Sequence, residues 1–259
     1  MKPPAAIVLA AGAGARLRPL TLLRPKALCP VNNETLLDRT LDHVTRTGLT
    51  DVAVNAHHLA EQVVAHVGDR AHLSVERPAG LGTAGAVAYL RGWLADRDAL
   101  ICNADAYLDG DLHPLLAGWS GARPRVLVVS DPMRGDFDDW RFAGASLLPA
   151  AFIAALPESP AGLYETVWQA AFARGELELV AYQGKFIDCG TPADYLAANL
   201  HASGGSSVVG AGAVVEGQLV RSVVWPQAVV AHGERLVECV RADGGLTVDA
   251  SGVAGGAGR

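Results

Sequence analysis

Short apolar runs alternate with stretches of helical spacing over the first two hundred residues. Ile7 to Ala11, Asp51 to Asn55, His72 to Glu76, Ala99 to Cys102, Arg125 to Val129, Phe142 to Leu148 and Glu178 to Tyr182 read as strands. Four to eight residues with little polar interruption suit strands buried on both faces. Between them, Leu36 to Gly48, a stretch from about Leu59 to Val67, Gly82 to Trp93, Leu163 to Gly175 and Ala193 to Leu200 carry apolar residues at helical spacing. Strands taking turns with helices predict an α/β fold with a mixed, mostly parallel sheet. The charged stretch Asp131 to Trp140 reads as a surface excursion.

After His201 the pattern changes. Ser203-Gly204-Gly205-Ser206 reads as a linker, and paired valines follow at Val208-Val209, Val214-Val215, Val223-Val224 and Val229-Val230, with glycines between. These steps resemble hexapeptide turns of a short C-terminal left-handed β-helix, whose coils bury their apolar faces only by stacking. The expected domains are therefore 1–202, 203–250 for the β-helix-like segment, and a Gly-rich flexible tail at 251–259.

Composition narrows the chemistry. The net charge of −6 argues against nucleic acid or an anionic membrane as partner. No apolar run reaches the length of a membrane span, and the start runs into a strand without a signal-peptide pattern, so a cytoplasmic location is expected. Cys29, Cys102, Cys189 and Cys239 form no CxxC pair and read as buried free thiols. His57-His58 lacks a third ligand at helical spacing and reads as a polar loop. Against the acidic background, Arg16, Arg18, Arg24 and Lys26 gather beside Gly12 and Gly14. Two glycines after a buried strand let the backbone turn its N–H groups outward, a concavity suited to phosphate. Arg16 brings a planar fork and Lys26 a compact charge, on a loop stiffened by Pro19 and Pro25. The dinucleotide fingerprint is excluded because Leu17 stands where its third glycine belongs, which removes a nicotinamide dehydrogenase; a P-loop is excluded by the missing Gly-Lys-Ser/Thr triplet.

Elsewhere the residues alone leave alternatives. Gly82 and Gly85 permit either a flat base or close helix packing. Asp105, after a strand, and Asp188, before Gly190-Thr191-Pro192, are each placed for Mg²⁺ or for a helix cap. Asp109 and Asp111 read as caps of the next helix. Gly144 suits ligand approach or packing, and Glu165 suits a substrate or the helix dipole.

The stretch from Gly12 to Val31 resembles the signature G-x-G-x-R-L-x-P-L-T-x-x-x-P-K-x-L-x-P-V of the sugar-1-phosphate nucleotidylyltransferases, through Gly12, Gly14, Arg16, Leu17, Pro19, Leu20, Thr21, Pro25, Lys26, Leu28, Pro30 and Val31. Leu81-Gly82-Thr83-Ala84-Gly85-Ala86, Asn103-Ala104-Asp105 and Ile187-Asp188-Cys189-Gly190-Thr191-Pro192 resemble its later motifs in order, and Asn55 to Leu59 resembles the mannose-1-phosphate guanylyltransferase and N-acetylmuramate-1-phosphate uridylyltransferase branches. The resemblance implies a Rossmann-like nucleotide-binding domain that transfers NMP from an NTP to a sugar 1-phosphate, yielding NDP-sugar and pyrophosphate with Mg²⁺. It implies catalytic roles for Arg16, Lys26, Asp105 and Asp188, with Asp105 and Asp188 on the metal. Leu9, Ala10, Ala11, Gly12, Gly14, Arg16, Gly82, Thr83 and Gly85 are the implied nucleotide contacts; Asn103, Gly144, Glu165 and Lys185 are the implied sugar contacts. Partners would be the NTP and sugar 1-phosphate, and the C-terminal segment would support a homo-oligomer. Ala15 and Ala104 depart from the family's usual hydroxyl and glycine. They keep a second reading open, a catalytically silent NDP-sugar-binding regulator.

Overall fold

A computed structural model describes residues 2–252. The chain divides into two compact units, neither continuous in sequence. Among the described residues, the first comprises 2–13, 37–104 and 108–186; the second comprises 14–36, 105–107 and 187–252. The divisions fall inside the glycine-rich loop, between Ala13 and Gly14, and inside the Asn103-Ala104-Asp105 triplet.

The first unit is built on a seven-stranded sheet. Its strands are β1 (Ala5–Leu9), β2 (Val52–Ala56), β3 (His72–Val75), β4 (Ala99–Asn103), β5 (Arg125–Ser130), β6 (Trp140–Leu148) and β7 (Glu178–Ala181), in the spatial order β7-β5-β6-β4-β1-β2-β3. β6 runs antiparallel to both its neighbours, and the other pairs are parallel, so the sheet is mixed and the fold Rossmann-like α/β. Every residue of β1 is buried, as its uninterrupted Ala-Ile-Val-Leu composition requires at the sheet's interior. The helix Leu36–Arg46 buries Leu37, Thr40, His43 and Val44, the face set by helical spacing. Three elements differ from the sequence reading. β6 starts at Trp140 because Phe137 and Trp140 close a bridged turn. The helix after Leu81 breaks at Leu90 into Gly82–Tyr89 and Arg91–Leu94. The helix after Leu163 opens with a wide π turn, Tyr164–Trp168, before Gln169–Ala173.

In the second unit, short strands stack as coils. Val208–Val209, Val223–Val224 and Cys239–Arg241 form one parallel ladder; Val214–Val215 pairs with Val229–Val230, and Gln218–Val220 with Arg235–Val237. Partners lie fifteen residues apart (Val208↔Val223, Val214↔Val229) or seventeen (Gln218↔Arg235, Val223↔Val240), which defines the coil length. Val208, Val223, Val230, Leu236 and Val240 turn inward and share one core with Leu17, Leu20, Cys29 and Val31 of the glycine-to-valine stretch. At the centre is Trp225, fully buried. Its Nε1 donates to the Tyr195 hydroxyl at 3.0 Å, and that hydroxyl donates to the Pro30 carbonyl. The Arg24 guanidinium lies 4.1 Å from the Trp225 ring centroid and pairs with Asp243 at 2.8 Å. The loop bearing Lys26 is thus held from behind by the coils. Trp225→Ala is expected to cost about 3–5 kcal/mol, the range for a buried tryptophan, and to raise amide exchange between Leu17 and Val31; unchanged exchange there would show that the loop does not depend on this support. The expected tail at 251–259 lies, from residue 253 on, outside the described residues.

Candidate active site

In the second unit the glycine-rich loop continues into a tight, non-repetitive path. Gly14 has φ of +58°, and a Cβ there would come within 2.8 Å of Thr21 Cγ2 and 3.0 Å of Lys26 Cβ. A side chain is excluded by both conformation and space. The Thr21 hydroxyl donates to the Gly14 carbonyl at 2.9 Å and fixes the turn. Pro25 holds an extended φ/ψ immediately before Lys26, so the lysine enters the interior at a set angle.

Lys26 is only 4% exposed. Its Nζ donates to Asp105 Oδ2 at 3.0 Å and to Asp188 Oδ1 at 3.4 Å, and Arg16 Nη2 reaches Asp188 Oδ2 at 3.3 Å. The carboxylates converge because Asp105 precedes the strand Ala106–Leu108 and Asp188 ends the strand Phe186–Asp188, which pairs with it. The Nζ distances limit the two carboxylate oxygens to about 6.4 Å apart. Burial pulls the Lys26 ammonium down, but the charge and hydrogen bond of Asp105, with Asp188, outweigh it and hold the lysine above its ordinary range. Burial pushes the Asp188 carboxyl up, and Lys26 and Arg16 together reverse this and hold it below its ordinary range. The two cations are not equivalent. The Arg16 side chain is 69% exposed, and exposed pairs are worth about 0–1 kcal/mol, so its guanidinium can leave Asp188 for another anion at little cost. Lys26 is fixed.

Mg²⁺ takes few protein carboxylates and fills its other positions with phosphate and water. Asp105, with a half-exposed side chain, and Asp188 are an oxygen donor set of that kind. Among the described residues no group of three or more His, Cys, Asp or Glu is placed to hold a metal, so these two residues fit as a sparse site that a bound phosphate would complete.

The first unit carries the other predicted residues. Leu9, Ala10, Ala11 and Gly12 leave the C-terminal end of β1, and Asn103 stands level with Leu9 at the end of β4. Gly82, Thr83 and Gly85 open a helix, but the space over the glycines is taken by backbone: a Cβ on Gly82 would meet the Ala161 carbonyl at 2.5 Å, and one on Gly85 the Ser159 carbonyl at 2.7 Å. The Thr83 hydroxyl accepts from the Leu163 amide at 2.8 Å. Neither glycine position has room for a side chain beside that backbone. Gly144 takes φ of +81° within β6. Glu165 lies against Gly162, and the Lys185 amide donates to Asp109 Oδ1 at 2.5 Å. Asp111 accepts from the His113 amide as a turn residue, and Asp109 accepts from the Lys185 amide. Sequence reasoning passed over Asn55 and Glu76, which are 3% and 2% exposed and hydrogen-bonded to each other at 2.6 Å. The available signal was a polar residue closing each of two predicted strands, Asp51 to Asn55 and His72 to Glu76.

Comparison with known proteins places these features among relatives. A family model described as nucleotidyl transferase matches residues 5–132. The N-acetylmuramate alpha-1-phosphate uridylyltransferase of Caulobacter vibrioides is 32% identical over 139 residues, 49% of this chain and 57% of the relative. A glucose-1-phosphate thymidylyltransferase of Streptomyces antibioticus is 35% identical over 137 residues, 49% of this chain and 38% of the relative. The matched stretch thus spans between about two fifths and three fifths of those relatives, and their differing substrates single out no branch. Among solved structures, a UDP-glucose pyrophosphorylase from Acinetobacter baumanii superposes with a TM-score of 0.64 at 17% identity, over 77% of this chain and 93% of that one, a likeness of fold.

Proposed function

We propose that this chain, whose residues 5–132 match a nucleotidyl transferase family model, belongs to the sugar-1-phosphate nucleotidylyltransferase superfamily and transfers a nucleoside monophosphate from an NTP to a sugar 1-phosphate. A phosphate oxygen of the sugar 1-phosphate attacks the α-phosphorus, the bond to the β-phosphate oxygen breaks, and pyrophosphate leaves with that electron pair. No protein nucleophile is required. Positioning and charge neutralisation carry the rate. The observation that supports this most is the buried Lys26 ammonium held between Asp105 and Asp188, which approach it from 79 and 162 residues away.

Lys26 binds the α-phosphate and incoming sugar phosphate, and Arg16 swings from Asp188 onto the β- and γ-phosphates. Asp105 and Asp188 are the residues that would hold Mg²⁺, which would supply neutralisation of the phosphate charge. Leu9 to Gly12, Gly14, Gly82, Thr83 and Gly85 take the nucleotide, while Asn103, Gly144, Glu165 and Lys185 take the sugar. The wording Asn55 to Leu59 favours the mannose-1-phosphate or N-acetylmuramate-1-phosphate branch. Residues 1–202 act as the transferase domain in a cytoplasmic setting, and the stacked coils at 203–250 form a left-handed β-helix supporting a homo-oligomer. A pyrophosphate-release assay with five NTPs against mannose, glucose and N-acetylmuramate 1-phosphates tests the reading; product with at least one pair is expected. The second reading, a silent NDP-sugar-binding homologue, rests on Ala15 and Ala104 and predicts tight NDP-sugar binding without product.

Gly190 supplies an independent check. A Cβ there would lie 2.7 Å from Arg16 Nη2 and 2.8 Å from its Cζ, the far end of a mobile side chain. Gly190→Ala is expected to displace that guanidinium with the fold intact, raising the NTP KM roughly three- to tenfold, the effect of about 1 kcal/mol of binding. An unchanged KM would separate Arg16's resting place from nucleotide binding.

A further inference from the structure

The first unit contains a buried polar chain that the proposed chemistry does not use. The Ala10 amide, one residue after β1, donates to Asn55 Oδ1 at 2.6 Å. Asn55 Nδ2 donates to Glu76 Oε1 at 2.6 Å, and the Leu81 amide donates to Glu76 Oε2 at 2.7 Å. The chain therefore runs from the start of the glycine-rich loop to the residue preceding Gly82. Asn55 and Glu76 come from the ends of β2 and beyond β3, and both are almost fully buried.

The polarity of this chain is set at its ends. Both termini are backbone N–H groups, which only donate. Two side chains bridging two fixed donors must supply three acceptor atoms and one donor. An amide and a carboxylate meet that count. Two amides leave two donors facing each other in every flip state, and two carboxylates leave two acceptors facing each other. Water is excluded, so the mismatched group stays unpaired at full cost.

We infer that Asn55 and Glu76 form a polarity-matched clasp that fixes the spacing between the Ala10 and Leu81 loops, making both positioning residues for the nucleotide. The inference rests on the proposed reading, in which those two loops take the NTP. Both backbone amides, of Ala10 and of Leu81, are spent on setting the loops. The order of the two side chains matters less than their sum. Exchanging their chemistry, with aspartate at 55 and glutamine at 76, lets the Ala10 amide donate to one Asp oxygen, the Gln amide to the other, and the Leu81 amide to the Gln oxygen.

A mutant cycle tests this: wild type, Asn55→Asp, Glu76→Gln and the double variant. Each is assayed for UTP, GTP, dTTP, CTP and ATP binding by calorimetry and for kcat and KM. Each single variant is expected to raise the KM for the preferred NTP about ten- to a hundredfold, with the KM for sugar 1-phosphate at saturating NTP unchanged. The double variant is expected to return within about threefold of wild type. A merely structural role would lower kcat through a smaller folded fraction and leave the NTP KM alone. If the single variants do not fold, the double still must; a double variant that is unfolded, or as weak for NTP as the poorer single, overturns the clasp. Singles that bind NTP like wild type overturn it as well. A wild-type chain that binds no NTP overturns instead the reading on which the clasp rests.

Discussion

Lys26→Ala is expected to lower kcat/KM for pyrophosphate release by about a hundred- to a thousandfold, while the chain stays folded. Removing one preorganised donor from a reacting oxygen costs about 2.7–4 kcal/mol of transition-state stabilisation. Lys26 is such a donor because it is 4% exposed and locked by two carboxylates, so it needs no reorganisation when charge develops. The stability cost is smaller. Breaking a fully buried pair costs about 3–5 kcal/mol, but the Asp105 side chain is 46% exposed and keeps much of its hydration. The variant should melt cooperatively near the parent. Retention of more than a tenth of wild-type kcat/KM in a folded variant would remove Lys26 from the phosphate site.

Asp188→Asn is expected to cost at least roughly a hundredfold in turnover. One Asp188 oxygen accepts from Lys26 and the other from Arg16. An amide at 188 must turn its NH₂ toward one of those cations, so a donor faces a donor and the pair geometry opens. The variant also loses a negative charge proposed to hold Mg²⁺. A pH signature accompanies it. The wild-type carboxyl titrates below its ordinary value of 3.8 in the folded chain, because Lys26 and Arg16 outweigh the upward push of burial. The unfolded chain therefore binds the proton more tightly. The contribution to stability is complete above the unfolded value and falls away as pH drops through the folded one. Asp188→Asn should flatten the acid limb of the stability profile; an acid limb identical to wild type would show that this carboxyl gains nothing from its partners on folding.

Much of the site was legible because its signal is local. Gly14, Arg16, Pro25 and Lys26 sit within one loop, where spacing alone fixes the turn and the cations. The runs Ile7–Ala11 and Ala99–Cys102 announced interior strands through their lack of polar residues, and the strands form at Ala5–Leu9 and Ala99–Asn103. What escaped was long-range. Nothing near Asn55 says that its amide will meet Glu76, and nothing near Gly82 says that Ala161 will lie across it. That Asp105 and Asp188 meet was expected only by likeness to a family, on a shared metal, since each alone reads equally well as a cap; the lysine that joins them was not foreseen. Trp140 was missed as a strand start because Asp138 and Asp139 before it mask the bridged turn.

The tie between the lysine loop and the coils has a consequence for synthesis. Arg24 meets Asp243 across 219 residues, and Pro30 meets Tyr195 across 165. Contacts of such span form late, after the entropy of closing a long segment has been met. A ribosome-bound nascent chain arrested before residue 204 would hold its phosphate-gripping segment without a floor, open to trypsin at Lys26, which the folded chain buries. Release past residue 243 should bring protection and competence together, so the phosphate-gripping segment waits on a partner 219 residues downstream.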